Sequence, residues 1–285
     1  MPTLTPPETD AGLARRLAAR AGELLLRVRA AHGHGDPAAL KAAGDQASHD
    51  FLLAELAAHR PDDAVLSEED KDSRLVGRAD GAGRLTADRV WIIDPLDGTR
   101  EFSEEGRSDW AVHVALWARD AGTPHRLVAG AIGLPAQDRV LATDDPPAAS
   151  PGPGTPLRLA ASRSRPPAFL TDLAGEVGAE LVPMGSAGAK ISAVIDGAVD
   201  AYIHAGGQYE WDSAAPVAVA TAAGFHASRI DGSPLTYNQA DPRLPDLLVC
   251  RQELAAPLLA ALGRQLSGAA APGGSGVPST GKDTR

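Results

Sequence analysis

The stretch VWIIDPLDGTREF, residues 90–102, ends an apolar run with two acids. Its first four residues predict a buried strand, because short apolar runs bounded by turn residues are typical of strands inside a sheet. Pro95 restricts the backbone between Asp94 and Asp97. It therefore aims both carboxylates, together with the Leu96 carbonyl oxygen, into one space.

Acids also stand at the ends of two other predicted elements. Glu68 follows the short apolar run 64–66, and Asp212 comes just ahead of an alanine-rich helix. Mg2+ prefers oxygen ligands, and two such ions about 3.5–4 Å apart can bind both the attacking and the leaving oxygen of a phosphoryl displacement. Together with Asp94 and Asp97, these acids predict a magnesium-dependent phosphatase site.

Gly98 and Thr99 follow the two acids at a point where a helix or a tight turn can begin. Free backbone N–H groups at such a point can hold phosphate oxygens, and the Thr99 hydroxyl can position a water. Asp97 followed by glycine is by itself a common turn signal. Its combination with Glu68 and Asp212 favours a catalytic site over a plain turn.

Charge and cysteine content exclude several classes of protein. The 285 residues carry a formal net charge of −10, whereas proteins that coat nucleic acids usually present a basic stripe. Cys250 is the only cysteine, so neither an intrachain disulfide nor a cysteine-based zinc site can form. We see no signal peptide and no apolar run long enough to span a bilayer. We therefore expect a cytoplasmic protein that has neither nucleic-acid polymers nor membranes as partners.

Helices and strands mix without regular alternation, which is typical of a layered α/β or α+β fold. The apolar spacing predicts helices over 10–31, 46–59, 169–177, 188–196, 213–223 and 257–266. It predicts strands over 64–66, 90–93, 110–117, 127–134, 140–143, 157–161, 181–183, 198–204 and 247–250. We expect Asp10 to cap the first helix and residues 70–88 to form a mobile loop.

The stretch 144–156, rich in proline, glycine and serine, predicts a domain boundary. We expect an N-terminal α+β half over 1–150, which carries the first metal-binding motifs. A C-terminal α/β half over 151–267 would supply substrate contacts and the last metal ligand. Residues 268–285 predict a disordered tail.

Three separated motifs resemble the inositol monophosphatase superfamily of metal-dependent, lithium-sensitive phosphatases. They are SEE at 67–69, DPLDGTREF at 94–102 and WDSAAPVAVATAAG at 211–224. The resemblance runs from about Leu13 to Leu266. It implies a layered αβαβα sandwich of the inositol monophosphatase and sugar phosphatase type, with the site between its two halves.

The resemblance also implies a set of metal ligands. Glu68, Asp94 and the Leu96 carbonyl would hold one Mg2+ ion, and Asp94, Asp97 and Asp212 a second. A third ion, held more weakly, would lie near Glu68. The enzyme would thus use two or three ions.

Catalytic roles follow from the same resemblance. Thr99 and Glu68 would activate the attacking water. Asp45, in the GDQA stretch that we expect to open the second helix, would support the network of water and metal. Gly98 and Thr99 would hold the scissile phosphate through their backbone amides.

Further features resemble the 3'(2'),5'-bisphosphate nucleotidase branch, the CysQ type, and especially its actinobacterial members. They are the residues REF at 100–102, the segment GSAGAK at 185–190 and the residues EWD at 210–212. Lys190 would hold the second phosphate of a nucleotide, although a solvated helix lysine is the alternative. Inositol phosphatases carry an acid where this chain has Ala205.

A Ser-Arg-Ser-His segment of the nucleotidase branch reads Ser-Arg-Ser-Arg at 162–165. Arg165 could bind phosphate more strongly than histidine does, or could form only a surface ion pair. The substrate contacts implied by the resemblance are Gly98, Thr99, Arg100, Ser162, Arg165, Gly185 and Lys190.

The resemblance implies a phosphatase that hydrolyses 3'-phosphoadenosine 5'-phosphate to AMP and phosphate, and so clears a by-product of sulfate activation. A homodimer is expected from the family. An inositol-1-phosphatase or a fructose-1,6-bisphosphatase is the alternative among enzymes. A non-catalytic sensor of phosphorylated ligands is a different class, and the intact acids and Thr99 argue against it.

Overall fold

The computed structural model describes residues 8–69, 83–148, 152–164 and 166–269. Most of the expected loop at 70–88 lies outside these residues, as do part of the expected boundary stretch, Arg165 and the tail beyond Ala269. Within the described residues, no helix is both long enough and apolar enough to cross a membrane.

Two long helices open the fold, α1 (Asp10–His32) and α2 (Pro37–His59). The expected cap at Asp10 is wrong by one residue, because the Thr9 side chain accepts the hydrogen bond from the Gly12 N–H at 3.1 Å. The expected start of α2 is also wrong. Asp36 accepts hydrogen bonds from two N–H groups of the first turn, and a proline at the first position suits a helix start.

The first sheet has strand order β1-β2-β3-β4-β5. Its strands are β1 (Ala64–Ser67), β2 (Arg89–Asp97), β3 (Ala111–Ala118), β4 (Leu127–Leu134) and β5 (Arg139–Ala142). Strand β1 pairs with β2 in parallel, while β2, β3, β4 and β5 pair in antiparallel fashion. The short helix α3 (Thr99–Ser103) follows β2 after one residue.

The second sheet has the order β7-β6-β8-β10-β9. Its strands are β6 (Leu157–Ser162), β7 (Ala179–Met184), β8 (Ala201–Ala205), β9 (His226–Ser228) and β10 (Asp246–Cys250). The remaining helices are α4 (Leu170–Val177), α5 (Ala187–Ile195), α6 (Glu210–Ala222) and α7 (Gln252–Ala269). Strand β9 was not predicted, and Pro257, the expected start of the last helix, lies inside α7.

The elements stack in five layers, because successive strand residues face opposite sides of a sheet. On β2, Trp91 and Ile93 pack with the core of α1 and α2, whereas Val90 and Ile92 pack with the core of α5 and α6. The far side of the second sheet packs against α4 and α7. The αβαβα arrangement predicted from the resemblance is therefore confirmed. Helix α6 packs directly on β2, β3 and β4, so the central helical layer joins the two sheets.

Candidate active site

Three carboxylates converge where β2 ends and α6 begins. One ligand oxygen from each of Asp94, Asp97 and Asp212 lies within 4.8 Å of those of the other two. A bulge separates Asp94 from Asp97 at the end of β2, which lets two acids of one strand face the same place. Asp212 comes from the first turn of α6. The structure thus brings together three acids that the sequence predicted as metal ligands.

A backbone N–H group fixes one oxygen of each of these acids. The donor–acceptor distances are 3.0 Å from Leu96 to Asp94, 2.8 Å from Gly188 to Asp97 and 2.7 Å from Tyr209 to Asp212. Each hydrogen bond restrains the carboxylate without neutralising its charge. The acids are therefore oriented by the protein itself, which is what a metal site requires.

The electrostatics of the cluster favour a cation. Desolvation, followed by repulsion from Glu68 and Asp97, raises the pKa of Asp94 well above its usual range. Desolvation and the charge of Asp97 likewise raise the pKa of Asp212, and the opposing effect of Lys190 is smaller. A divalent cation would offset the repulsion and replace the lost hydration. The donor set therefore fits a metal ion that prefers oxygen ligands.

Glu68 reaches the same place from the neighbouring strand. Because β1 and β2 are parallel, with Ser67 opposite Ile93, the residue after β1 comes next to Asp94. The Glu68 N–H donates to the Ile93 carbonyl over 3.4 Å. The parallel pairing therefore explains why acids from two distant motifs meet.

Asp45 lies in the middle of α2, eight residues after the helix begins at Pro37, and does not open the helix as expected. Desolvation, with smaller contributions from the charges of Glu69 and Glu68, raises its pKa to about 7. Asp45 therefore stands within electrostatic reach of the acids, although it does not line the cavity that they share.

A cavity of about 590 Å³ opens beside the acids, which is large enough for a small phosphorylated ligand. Apart from Asp45, every predicted site residue that the structure describes lines it. These residues are Glu68, Asp94, Leu96, Asp97, Gly98, Thr99, Arg100, Ser162, Gly185, Lys190 and Asp212.

Gly98 allows the chain to turn tightly from β2 into α3. Its backbone has φ +85°, a conformation that glycine adopts without strain. A Cβ atom there would lie 3.1 Å from the Ser186 Cβ and 3.3 Å from the Asp109 carbonyl oxygen. The backbone of Gly98 therefore lies so close to Ser186, just before α5, that an added Cβ would make unusually tight contacts.

The glycine-containing segment before α5 is held by its own lysine. Lys190 Nζ donates to the carbonyl oxygens of Gly185 at 2.9 Å and Ser186 at 2.7 Å. The ammonium also lies 5.0 Å from the centre of the Tyr202 ring. Lys190 lines the cavity, but its charge is directed at the carbonyl groups of its own segment.

Sequence reasoning missed several residues of the cavity wall. Arg163 donates to the buried carboxylate of Glu101 at 2.7 Å, and both line the cavity. They lie 62 residues apart, and no local pattern links them. Other unpredicted wall residues include Ser164, Ser186, Tyr202, His204 and Gln208.

A family model described as the inositol monophosphatase family matches residues 7–266. The chain belongs to the inositol monophosphatase family. Its residues align with the 3'-phosphoadenosine 5'-phosphate phosphatase of Mycobacterium leprae at 53% identity over 258 residues, which cover 88% of this chain and 92% of that protein.

More distant members of the inositol monophosphatase family are also similar. The 3'(2'),5'-bisphosphate nucleotidase CysQ of Escherichia coli is 30% identical over 68% of this chain and 78% of its own length. The crystal structure of CysQ from Bacteroides thetaiotaomicron superposes with a TM-score of 0.66 at 26% identity, covering 86% of this chain and 98% of that one. The family and the branch predicted from the motifs are confirmed.

Proposed function

We propose that this protein is a Mg2+-dependent phosphatase that hydrolyses 3'-phosphoadenosine 5'-phosphate to AMP and phosphate. The observation that carries the proposal is the convergence of Asp94, Asp97 and Asp212 in one cavity. The cationic residues Arg100 and Lys190 line the same cavity. The name of the relative at 53% identity supports the choice of substrate.

The metal ligands in this proposal are Glu68, Asp94, the Leu96 carbonyl, Asp97 and Asp212, which would hold two or three ions. Hard oxygen donors suit Mg2+ better than softer transition metals. When bound, such ions would neutralise charge that develops on the phosphoryl group and would lower the pKa of a water, which makes that water a better nucleophile.

Glu68 and Thr99 orient the attacking water in this proposal, and Asp45, from α2, supports the network of water and metal. Burial, followed by the charges of Glu69 and Glu68, raises the pKa of Asp45, which supports a place for Asp45 beside this network. Gly98 and Thr99 contact the scissile phosphate from the start of α3. The close approach of Gly98 to Ser186, just before α5, keeps this part of the wall narrow.

The nucleotide contacts in this proposal are Arg100, Ser162, Gly185 and Lys190, all on the wall of the cavity. Arg165 is a further proposed contact, which lies outside the described residues. We also propose the division into halves at residue 150 and a C-terminal tail after α7, which runs two residues past the expected start of the tail at 268. This division places the acidic metal ligands Glu68, Asp94 and Asp97 on the first half and Asp212 on the second.

We further propose inhibition by lithium, a homodimer, and a role in sulfate assimilation in the cytoplasm. Family membership supports the first two properties, and similarity to the nucleotidase branch supports the role in sulfate assimilation. The presence of one cysteine in 285 residues is compatible with a reducing compartment. Lithium inhibition and dimerisation can be measured on the purified protein, and the compartment by fractionation of cells.

The proposal is tested by phosphate release from three substrates in Mg2+, compared by kcat/KM. The substrates are 3'-phosphoadenosine 5'-phosphate, inositol 1-phosphate and fructose 1,6-bisphosphate. We expect the nucleotide to be preferred, since the position that carries an acid in inositol phosphatases is Ala205. Preference for either of the other two would reject the branch, and release from none would favour a phospho-ligand sensor.

A further inference from the structure

Two arginines of the cavity wall converge on one carboxylate. Arg163 Nη2 donates to Glu104 Oε1 at 3.0 Å, and Arg100 Nε donates to the same oxygen at 3.3 Å. Glu104 is the residue directly after α3. A pair of guanidinium groups that share an anionic oxygen is the arrangement by which proteins bind phosphate.

Arg163 has donors left over. Its side-chain hydrogen bonds to residues that the structure describes both leave from Nη2, to Glu101 and Glu104. Its Nε is buried and finds no hydrogen-bond partner among the residues that the structure describes. A buried donor without an acceptor is costly, and a ligand oxygen could satisfy it once the Arg163 side chain turns away from Glu104.

The two acids that contact Arg163 differ in exposure. The Glu101 side chain is 8% exposed, whereas that of Glu104 is 35% exposed. Exposed ion pairs contribute little to stability, so the contact with Glu104 can be exchanged at low cost. Glu101 is therefore suited to hold Arg163 in place, whereas Glu104 can be displaced from Arg163 by another anion.

Lys190 is less suited to bind a second phosphate. Two of the three ammonium donors are taken by the carbonyls of Gly185 and Ser186. A ligand that recruited Lys190 fully would have to release that segment. The two arginines need only exchange the carboxylate of Glu104 for a phosphate group.

We propose that Arg163, together with Arg100, binds the phosphate of the substrate that is not hydrolysed, and that Glu104 occupies this position until the substrate enters. This inference rests on the proposed function and deepens it. Arg163 becomes a residue that determines specificity for bisphosphates, because a monophosphate offers nothing to exchange for Glu104. Phosphate has more charge and more acceptor oxygens than a carboxylate, which favours the exchange.

The kinetic test compares 3'-phosphoadenosine 5'-phosphate with adenosine 3'-monophosphate, which lacks the second phosphate. We expect Arg163→Gln to lower the ratio of the two kcat/KM values by about tenfold or more. We expect Glu104→Gln to lower KM for the bisphosphate by about two- to fivefold, with kcat unchanged, because a charged competitor is removed.

Arg139→Gln is the matched control, since Arg139 pairs with Asp196 at similar exposure and away from this cavity. It should leave the ratio unchanged. An equal loss on both substrates in Arg163→Gln would show a structural role and overturn the inference. If that variant fails to fold, Glu104→Gln decides alone, and an unchanged KM for the bisphosphate overturns the inference.

A binding experiment tests the phosphate subsite independently of the proposed reaction. Calorimetry in EDTA measures the affinities of the protein for AMP and for adenosine. Under these conditions neither turnover nor a metal ion contributes to the measured affinity. We expect AMP to bind about tenfold more tightly or better, and Arg163→Gln to abolish the preference. Equal affinities in the unsubstituted protein would overturn the subsite. Absence of phosphate release from either substrate would reject the proposed function, while the AMP preference would still decide the subsite.

Discussion

The Ser186 hydroxyl donates a hydrogen bond of 2.5 Å to Oδ2 of Asp97. It also accepts from the Ala189 N–H at 3.0 Å and so caps α5. The backbone of Ser186 has φ +40°, a conformation that residues with a side chain rarely adopt. Strain of this kind persists only where surrounding contacts enforce it. We infer that Ser186 is held in this conformation because it links the central helical layer to the end of β2.

Two substitutions of Ser186 separate the strain from the hydrogen bonds. Ser186→Ala removes both hydrogen bonds and keeps the strain, and we expect it to lower the free energy of unfolding by about 1–3 kcal/mol. Ser186→Gly also removes the strain, so its loss should be smaller by about 1 kcal/mol. Both should weaken Mg2+ binding equally, because Asp97 loses the same partner. Urea denaturation and Mg2+ calorimetry measure these effects, and a glycine variant less stable than the alanine variant would reject the strain argument.

Asp94→Asn tests whether repulsion among the acids is relieved by metal. We expect this variant to have a higher Tm than the unsubstituted protein in EDTA, because a carboxyl with a raised pKa destabilises the fold when ionised. Mg2+ should raise the Tm of the unsubstituted protein but not of the variant, whose kcat should fall by orders of magnitude.

Asp196→Asn serves as the control for this experiment, since Asp196 pairs with Arg139 outside the acid cluster. It should keep the full Tm shift in Mg2+ and full activity. A Tm shift in Asp94→Asn as large as that of the unsubstituted protein would contradict the assignment of Asp94 as a ligand.

Gly98→Ala tests the close approach at the start of α3. A Cβ at φ +85° costs about 1 kcal/mol in backbone strain, and contact with Ser186 adds about 1–3 kcal/mol. We also expect a tenfold or greater loss of kcat/KM, on the order of what small misplacements at a site produce. Gly178→Ala is the control, because Gly178 has φ +65° with nothing within 4 Å of the added Cβ. Equal destabilisation in the two variants would show that the contact with Ser186 is unimportant.

Asp45→Asn has a pH-dependent effect on stability. The pKa of Asp45 rises from its ordinary value of 3.8 to about 7 in the fold, so the folded state holds the proton more tightly. Ionisation of Asp45 therefore removes stability progressively as the pH rises through that interval. In EDTA, we expect the variant to be more stable than the unsubstituted protein at pH 8, with a smaller difference at pH 5. A difference in Tm that does not change with pH would show that ionisation is not the cause.

Asp94 and Asp97 could be predicted from local sequence patterns, because the end of a strand and the turn that follows it are encoded by adjacent residues. The position of Glu68 also follows from sequence once β1 and β2 are taken as parallel neighbours. The start of α2 was missed because the glycines before Asp36 suggested a turn, while the alanine-rich first turns lack a clear apolar stripe.

Other features depend on tertiary contacts alone. The three residues of β9 become a strand by pairing with β10, and no sequence run of that length is diagnostic. The ion pair of Arg163 with Glu101 joins the residue directly after β6 to α3. Only the folded chain shows that the arginine of the Ser-Arg-Ser segment lies on the wall.

Lys190→Gln distinguishes a positioning role from direct binding of a second phosphate. Since Lys190 holds the carbonyls of Gly185 and Ser186, its loss should loosen the segment that fixes Asp97 through Ser186 and the Gly188 N–H. We therefore expect weaker Mg2+ binding and a similar fall in kcat/KM for 3'-phosphoadenosine 5'-phosphate and for adenosine 3'-monophosphate. Steady-state kinetics on both substrates, with Mg2+ titration, measures this. A loss confined to the bisphosphate, with Mg2+ affinity unchanged, would instead assign Lys190 to the second phosphate, as the resemblance implied.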